Sequence, residues 1–441
     1  MLEVLNTLLW GPGTLALILG TGAWLTLRTG GFPQRNLGRA LALSLGREAR
    51  RKGRGGVSPV GSLMTALAST VGTGNIVGVA AALVSGGPGA LVWMELAALL
   101  GLAAKFAECM LAVKYRRVRR DGTRWGGPMA VMETRLGSAG AVLGRFYALF
   151  ALLMAFAMGA MAQSGALADT FSAAFTLPRW RVGLVTAALA LTILLGGIRR
   201  IAEISTVLVP VMALLYLGGG LAVILGNLRR LPEALILMLR CAVAPEAALG
   251  GALGIVTRRE ALRWGVARSV FSNEAGLGSA AITAACADTD EPVKQGLISM
   301  TGVFFDTMVI CTVTGLAIYC SGTLGAADGN GHPLTGAALT LRAFETVLGP
   351  LAPWLIGVAL GLFAFTSVLG CAVQAETTAS YLLGPEAVRP CRVLYGLAVF
   401  VGAVIPMATV LQLADLANAL MAFPNLVCLL LLSGEIAGEC G

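Results

Sequence analysis

Two short runs interrupt otherwise apolar stretches and carry most of the chemistry that this chain could perform. The first is Val71-Gly72-Thr73-Gly74-Asn75-Ile76-Val77-Gly78, the second Phe271-Ser272-Asn273-Glu274-Ala275-Gly276-Leu277-Gly278. Glycine permits non-helical backbone, and both clusters fall mid-segment, where a straight helix should be most uniform. A helix broken there offers free N–H groups and a positive dipole end to an anion such as a carboxylate. It also offers released carbonyls to a cation. A zwitterionic ligand would use both. The competing account is that these glycines only let helices pack closely, but two breaks at matching positions argue against it. Gly72 to Gly78 also resembles a dinucleotide fingerprint, yet its spacing is off by one residue and no β-strand precedes it.

Polar side chains within apolar segments add to the set. Glu274 lies in the second break and Asp306 beside Thr307 in a later segment, and acids at membrane depth are costly and functional by default. Either would orient backbone, take a proton or serve as a satisfied structural acid. Gln163 would bond a ligand or cross-link helices. Thr366 and Ser367 supply adjacent hydroxyls, hard donors suited to a small cation. Lys105 and Glu108 are expected to snorkel or pair locally near one end of their segment.

The elements that must position these residues follow from composition. The chain has 441 residues, 57% hydrophobic and 12% charged, with a mean hydropathy of +0.82. Soluble domains are about a quarter charged, so a water-soluble enzyme is excluded. Eleven apolar segments lie near 4–27, 58–86, 88–114, 142–172, 181–198, 203–226, 258–285, 295–321, 351–383, 392–410 and 413–433. Several reach the ~20 residues that a spanning helix needs. The expected class is an all-α integral membrane protein of about eleven transmembrane helices.

Charge then sets orientation. The net +9 reflects 28 Arg and 4 Lys against 23 acids. In a soluble chain this would suggest nucleic acid, but here the basic residues crowd into loops. One loop carries Arg28, Arg35, Arg39, Arg47, Arg50, Arg51, Lys52 and Arg54. Another connection carries Lys114, Arg116, Arg117, Arg119, Arg120, Arg124, Arg135 and Arg145. Alternating sides from these loops places most Lys and Arg on one face, which should be cytoplasmic. That puts the N-terminus outside and the C-terminus inside a multi-pass cell-membrane protein.

The nine cysteines show no C-x-x-C spacing, and Cys286, Cys311, Cys371 and Cys428 lie inside apolar runs, as packing residues do. With a single histidine, His332, and no nucleophile–base pair, a membrane enzyme has no support. No signal peptide is expected at the N-terminus.

The breaks open two successive groups of five segments, the odd count inverting the second group. This is the layout of a secondary transporter with a midplane site. The expected divisions are an extra N-terminal helix and basic loop (1–57), a first repeat (58–226), an outer-face connection (227–257), a second repeat (258–433) and a short tail (434–441). Stretches 227–257 and 322–350 are expected to form surface-lying helices.

The same residues carry a family resemblance along nearly the whole chain. The sequence resembles the alanine/glycine:cation symporters, sodium-coupled amino-acid carriers with a LeuT-type 5+5 inverted repeat preceded by one extra helix. It does so through Leu25-Thr26-Leu27-Arg28-Thr29-Gly30, the first break, Gly87-Pro88-Gly89-Ala90, Lys105-Phe106-Ala107-Glu108, Gly126-Gly127-Pro128-Met129 and Gly196-Gly197-Ile198-Arg199-Arg200-Ile201. The strongest block runs from Phe271 to Ser279 and on to Asp306-Thr307. The resemblance implies that Thr73 and Gly74 bind a substrate carboxylate and that Gln163, Phe271, Ser272 and Asn273 line the pocket. One sodium would take the carbonyls of Ala68, Val71 and Phe363 with the hydroxyls of Thr366 and Ser367. Another would sit near Asn75 and Ser272, touching the substrate. Glu274 and Asp306 would be structural or gating.

Two departures stand out. After Phe365-Thr366-Ser367-Val368-Leu369-Gly370 the family usually places a Trp that lines the pocket, and this chain has Cys371. The lost volume would admit neutral side chains larger than a methyl, unless Met308 or Met154 refills it. Glu95 occupies a position usually apolar or aromatic. The implied function is sodium-coupled import of small neutral amino acids by alternating access. Proton coupling through Glu274 or Asp306 is the first alternative, and an amino-acid-binding sensor the second, although no signalling domain is visible.

Overall fold

The computed structural model describes residues 6, 9–50, 57–118, 122–243, 246–248, 255–329 and 331–440. Of the basic loop residues named above, Arg51, Lys52, Arg54, Arg119 and Arg120 lie outside them.

Helices dominate. In chain order those of six residues or more are α1 (Pro12–Arg28), α2 (Leu37–Leu45), α3 (Pro59–Thr70), α4 (Val77–Gly86), α5 (Gly89–Lys114), α6 (Pro128–Met154), α7 (Gln163–Phe175), α8 (Arg179–Leu194), α9 (Gly197–Gly226) and α10 (Leu231–Val243). Then follow α11 (Arg258–Asn273), α12 (Ser279–Ala285), α13 (Pro292–Val303), α14 (Thr312–Ser321), α15 (Gly336–Leu348), α16 (Ala352–Leu383), α17 (Val388–Val404), α18 (Met407–Leu431) and α19 (Ser433–Gly438). Eight-residue π-type segments, Ala155–Ala162 and Phe304–Cys311, join α6 to α7 and α13 to α14. Two small antiparallel hairpins complete the described chain, β1 (Arg117–Val118) with β2 (Arg124–Trp125) and β3 (Glu246–Ala248) with β4 (Ile255–Thr257).

Among the described residues, seven continuous helices are long and apolar enough to cross a membrane, and the bent pair α3–α4 makes an eighth. The sequence count of eleven is not reached on that criterion. α1 and α8 have 17 and 16 residues, and the segment over 258–285 is split between α11 and α12. The described parts of the stretches 227–257 and 322–350 each contain a helix, α10 and α15.

Both breaks appear where the glycines put them. α3 ends at Thr70, and the chain bends by 63° before α4. α11 ends at Asn273, and Glu274 (φ +52°), Gly276 (φ +86°) and Gly278 (φ +81°) turn left-handed before α12 begins. Glycine adopts this conformation freely, whereas Glu274 needs outside support to hold it. α5 packs against α11, α12 and α13 and is buried from Leu102 through Val113. It is the wall on which the second break rests.

Candidate functional site

The first break is built by Asn75. In a continuous helix the Gly72 N–H would bond the Ala68 carbonyl; here it donates to Asn75 Oδ1 at 3.1 Å. Asn75 thereby diverts a helical amide, and the Ala68 carbonyl loses its usual partner. A single 3-10 turn, Thr73–Asn75, follows, and the N–H groups of Thr73 and Gly74 at its start have no intrahelical acceptors.

The same Asn75 reaches the second broken span. Its Nδ2 donates to Asp306 Oδ1 at 2.7 Å and to Ser272 Oγ at 3.1 Å. Ser272 in turn donates to Asp306 Oδ2 at 2.5 Å, and Thr307 donates to the same oxygen at 3.2 Å. Asn273 Nδ2 donates to Thr307 Oγ1 at 3.0 Å, while its Oδ1 accepts the Ala275 N–H at 2.9 Å. One network thus ties both breaks to the π segment that carries Asp306. Asn75, Asp306 and Thr307 are fully buried, and Ser272 and Asn273 nearly so. A buried carboxyl group ringed by hydroxyl and amide groups has the donors to hold a cation once those groups turn their oxygens inward.

Gln163, the first residue after the π segment, accepts a long 3.4 Å bond from Thr73 Oγ1. Both its amide atoms lie 3.5 Å from where a Cβ at Gly72 would stand. Phe271 carbons lie at the same distance from a Cβ at Gly74. Thr73, Gly74, Gln163 and Phe271 therefore surround one spot beside the break.

α16 supplies the next wall. Phe363, Ser367, Gly370 and Cys371 share a face at helical spacing. A Cβ at Gly370 would fall 2.4 Å from the Ser69 N, so the two backbones approach as only glycine allows. Ser367 Oγ lies 2.8 Å from a Cβ at Gly72 and donates to the Phe363 carbonyl at 2.9 Å. Thr366 Oγ1 stands 2.9 Å from the Leu362 carbonyl and 3.2 Å from Met212 Sδ, so its hydroxyl is turned toward α9. Ser367 is thus beside the break, while Thr366 faces α9 in this conformation.

Cys371 follows Ser367 by one turn on α16 and packs in an apolar cluster with Ala155, Ala160 and Tyr395, whereas Met154 and Met308 belong to another cluster. The π segment comes close to it: a Cβ at Gly159 would stand 2.2 Å from Cys371 Cβ and 2.9 Å from the Tyr395 hydroxyl. Nothing in the sequence signalled that approach.

Lys105 and Glu108 do not snorkel. Both are 2% exposed and pair at 3.4 Å. Lys105 Nζ donates to the Glu274 carbonyl at 3.1 Å. Glu108 Oε2 accepts from the Gly278 N–H at 3.1 Å and from Asn425 Nδ2 at 3.2 Å. Asn425 also donates to the Gly276 carbonyl at 2.9 Å, and Ser279 donates to the Glu274 carboxylate. This buried pair is the support that the left-handed Glu274 requires. Asn425, beside Pro424 in an apolar segment, was the available sequence signal for it. Glu95 also finds a role, accepting from Thr312 Oγ1 at 2.8 Å and joining α5 to α14.

A cavity of about 180 Å3 leads to Phe271 from one side, bounded by Trp10, Trp264, Arg268 and Asp415. Arg268 holds its guanidinium 5.3 Å over the Phe271 ring. On the arginine-rich side, Arg124 pairs with Asp288 at 3.0 Å, Arg116 pairs with Asp290 at 2.9 Å, and the Asp288 N–H donates to the Val57 carbonyl at 2.7 Å. These contacts tie the β1–β2 hairpin, the chain beyond α12 and the start of α3 together.

Known proteins share this organisation. A profile of the sodium:alanine symporter family matches residues 1–440. The sodium/alanine symporter AgcS of Methanococcus maripaludis is 41% identical over 441 residues, all of this chain and 96% of that one. A probable sodium/glutamine symporter, GlnT of Bacillus subtilis, is 37% identical over 435 residues, 98% of this chain and 87% of its own. In fold, the chain resembles MhsT, crystallised with L-phenylalanine, at a TM-score of 0.61 and 15% identity, covering 86% of this chain and 90% of that one. With its two broken spans and their shared polar network, the chain belongs to the sodium:alanine symporter family, a family of transporters.

Proposed function

We propose that this protein imports small neutral amino acids together with sodium by alternating access across the cell membrane. The observation that carries the reading is the buried Asn75–Ser272–Asp306 network, which joins both helix breaks beside the amides of Thr73 and Gly74. In this reading those amides receive the substrate carboxylate, and Gln163, Phe271, Asn273 and Cys371 shape the rest of the pocket.

Sodium enters as a co-substrate at two places. One ion takes the carbonyls of Ala68, Val71 and Phe363 with Ser367, and Thr366 after a rotamer change. The diverted Gly72 amide supports this placement, because it leaves the Ala68 carbonyl available. A second ion takes oxygens of Asn75, Ser272 and Asp306, close to the substrate carboxylate. Asp306 offsets that ion's charge, whereas the first site is built of neutral donors only. Glu274 shapes the break and binds no ion.

The crowding of Lys and Arg into these loops supports a cytoplasmic position for the Arg116 and Arg124 seal, with the N-terminus outside and the C-terminus inside. Residues 58–226 and 258–433 are then the first and second five-helix repeats, inverted relative to each other. Each sodium carries one charge inward with a neutral zwitterion. At ~100 mV that is worth about 2.3 kcal/mol, and a tenfold sodium gradient adds about 1.4 kcal/mol. One ion therefore sustains accumulation of roughly 500-fold.

Equilibrium binding of labelled alanine to the purified protein, titrated with sodium and with equal potassium, tests the site. Sodium-dependent binding that Asp306→Asn weakens supports the reading; binding indifferent to sodium contradicts it. A buried carboxylate at Asp306 would also serve proton coupling, which sodium-free binding that rises at acidic pH would favour.

A further inference from the structure

One side chain in the core keeps both of its polar atoms unpaired. Gln374, on α16, is fully buried, and neither Oε1 nor Nε2 has a hydrogen-bond partner among the described residues. No other buried side chain among them leaves two such atoms open. A buried amide without bonds bears the full desolvation penalty of donor and acceptor alike. Its retention calls for a partner in another state of the protein.

Helix geometry places that amide. α16 and α3 run past each other in opposite senses: Ser367 lies beside Gly72, and Gly370 meets Ser69. One turn further along α16, Gln374 shares their stripe and stands level with Thr65. Two turns beyond it, the Tyr381 hydroxyl lies 2.9 Å from where a Cβ at Gly144 would stand. The Tyr381 ring is 6.4 Å from that of Trp125, next to Arg124. The stripe therefore runs about 21 Å, from the first break to the arginine-rich seal, with α3, α6 and α12 packed against α16.

These helices bring buried polar groups to the same depth: Ser62 and Thr65 on α3, Thr283 on α12, Tyr147 on α6 and Thr378 on α16. Thr65, Thr283 and Thr378 donate to carbonyls of their own helices, at 2.7, 2.9 and 2.7 Å. Ser62 donates to the Thr283 carbonyl at 2.8 Å. Their hydrogens are committed. Within this set, the donors left open are Gln374 Nε2 and the Tyr147 hydroxyl, which lies 2.8 Å from a Cβ position at Gly278 in the second break.

We propose that Gln374 is a release site for the substrate: as the arginine-rich side opens, its Nε2 donates to the carboxylate of the departing amino acid and its Oε1 accepts from the ammonium. An amide open at both ends suits a zwitterion, whereas a bare cation would use only the oxygen. The assignment rests on the transport reading above.

Two measurements on the full chain test it. In the first, Gln374→Cys is combined with Arg124→Ala, which removes one arm of the seal, and labelling by a water-soluble thiol reagent is mapped by mass spectrometry. Position 374 should label at least fivefold faster than with Gln374→Cys alone; a position 374 that stays unreactive would overturn the proposal. In the second, sodium-dependent alanine binding at equilibrium is compared with alanine exchange across proteoliposomes. Gln374→Leu, an apolar change of similar size, should leave binding within twofold of wild type and slow exchange at least fivefold. Gln374→Asn, which keeps the amide, should recover part of the rate. Wild-type exchange in Gln374→Leu, with or without a raised thermal midpoint, would make the amide merely structural and overturn the proposal. Equal slowing by Gln374→Asn would point to packing and overturn it as well. A wild-type protein that shows no sodium-dependent alanine binding would instead contradict the transport reading.

Discussion

Asp306 makes the sharpest chemical demand of any single residue. Its carboxyl group accepts from Asn75, Ser272 and Thr307, all neutral donors, and in the proposed reading a sodium ion adds the counter-charge beside it. Asp306→Asn keeps the shape and removes that charge. The sodium concentration for half-maximal alanine binding should rise at least tenfold, about 1.4 kcal/mol, as read by a binding titration. Gly159 makes a steric demand. A methyl there would meet Cys371 Cβ at 2.2 Å, and overpacking of this kind costs about 1–3 kcal/mol. Gly159→Ala should lower the thermal midpoint of the purified protein, while Gly159→Ala with Cys371→Gly should recover part of the loss. At this scale the sequence was informative wherever the signal is local. Gly72–Gly78 stands out because its glycines are clustered around polar residues, and Glu274 and Asp306 because acids are rare in apolar runs. The Gly159–Cys371 approach was not legible, because it depends on a π-type turn that no residue pattern announces.

Among the elements, α5 decides whether the second break can exist. Lys105 and Glu108 bond three backbone or side-chain groups of the 274–278 turn and of α18, and both charges are buried. Removing one partner of such a pair leaves an uncompensated charge, at a typical cost of about 3–5 kcal/mol. Lys105→Met and Glu108→Gln should each lower the unfolding midpoint strongly, and the double variant should be milder than the sum of the two. Additive effects in a double-mutant cycle would show that the pair does not act as a unit. The sequence located these residues and suggested local pairing, but it could not show what they hold. Their partners lie about 170 and 320 residues away, and a single sequence carries no record of such contacts. The breaks themselves were legible, while the span count was blurred by helices that are short, as α8 is, or split, as α11 and α12 are.

For the whole molecule, the two ends of the site differ. A cavity bordered by Arg268 reaches Phe271 from one side. On the other side Arg116 and Arg124 hold Asp288 and Asp290 across the foot of α3. Alternating access requires the second set to open. Arg124→Ala should shift the population toward opening on that side. The buried Cys286, which borders a second cavity beside Arg124, should then react faster with a water-soluble thiol reagent, as followed by mass spectrometry. Sodium should slow this labelling in the wild-type protein if it favours the sealed form, and equal rates with and without sodium would contradict that coupling. The repeat organisation was readable from the matching positions of two glycine clusters. The seal was not, because charged loops report orientation in a sequence but not which partners they meet.

The central claim is that sodium drives amino-acid accumulation through the paired breaks. Uptake of labelled alanine into proteoliposomes, with an inward sodium gradient set against an equal potassium gradient, tests it most directly. The account predicts concentrative uptake that appears only with sodium and collapses when the gradient is dissipated. Unlabelled glutamine and methionine should compete if Cys371 has widened the pocket. Accumulation that proceeds equally in potassium, or saturable alanine binding with no accumulation under any sodium gradient, would contradict it.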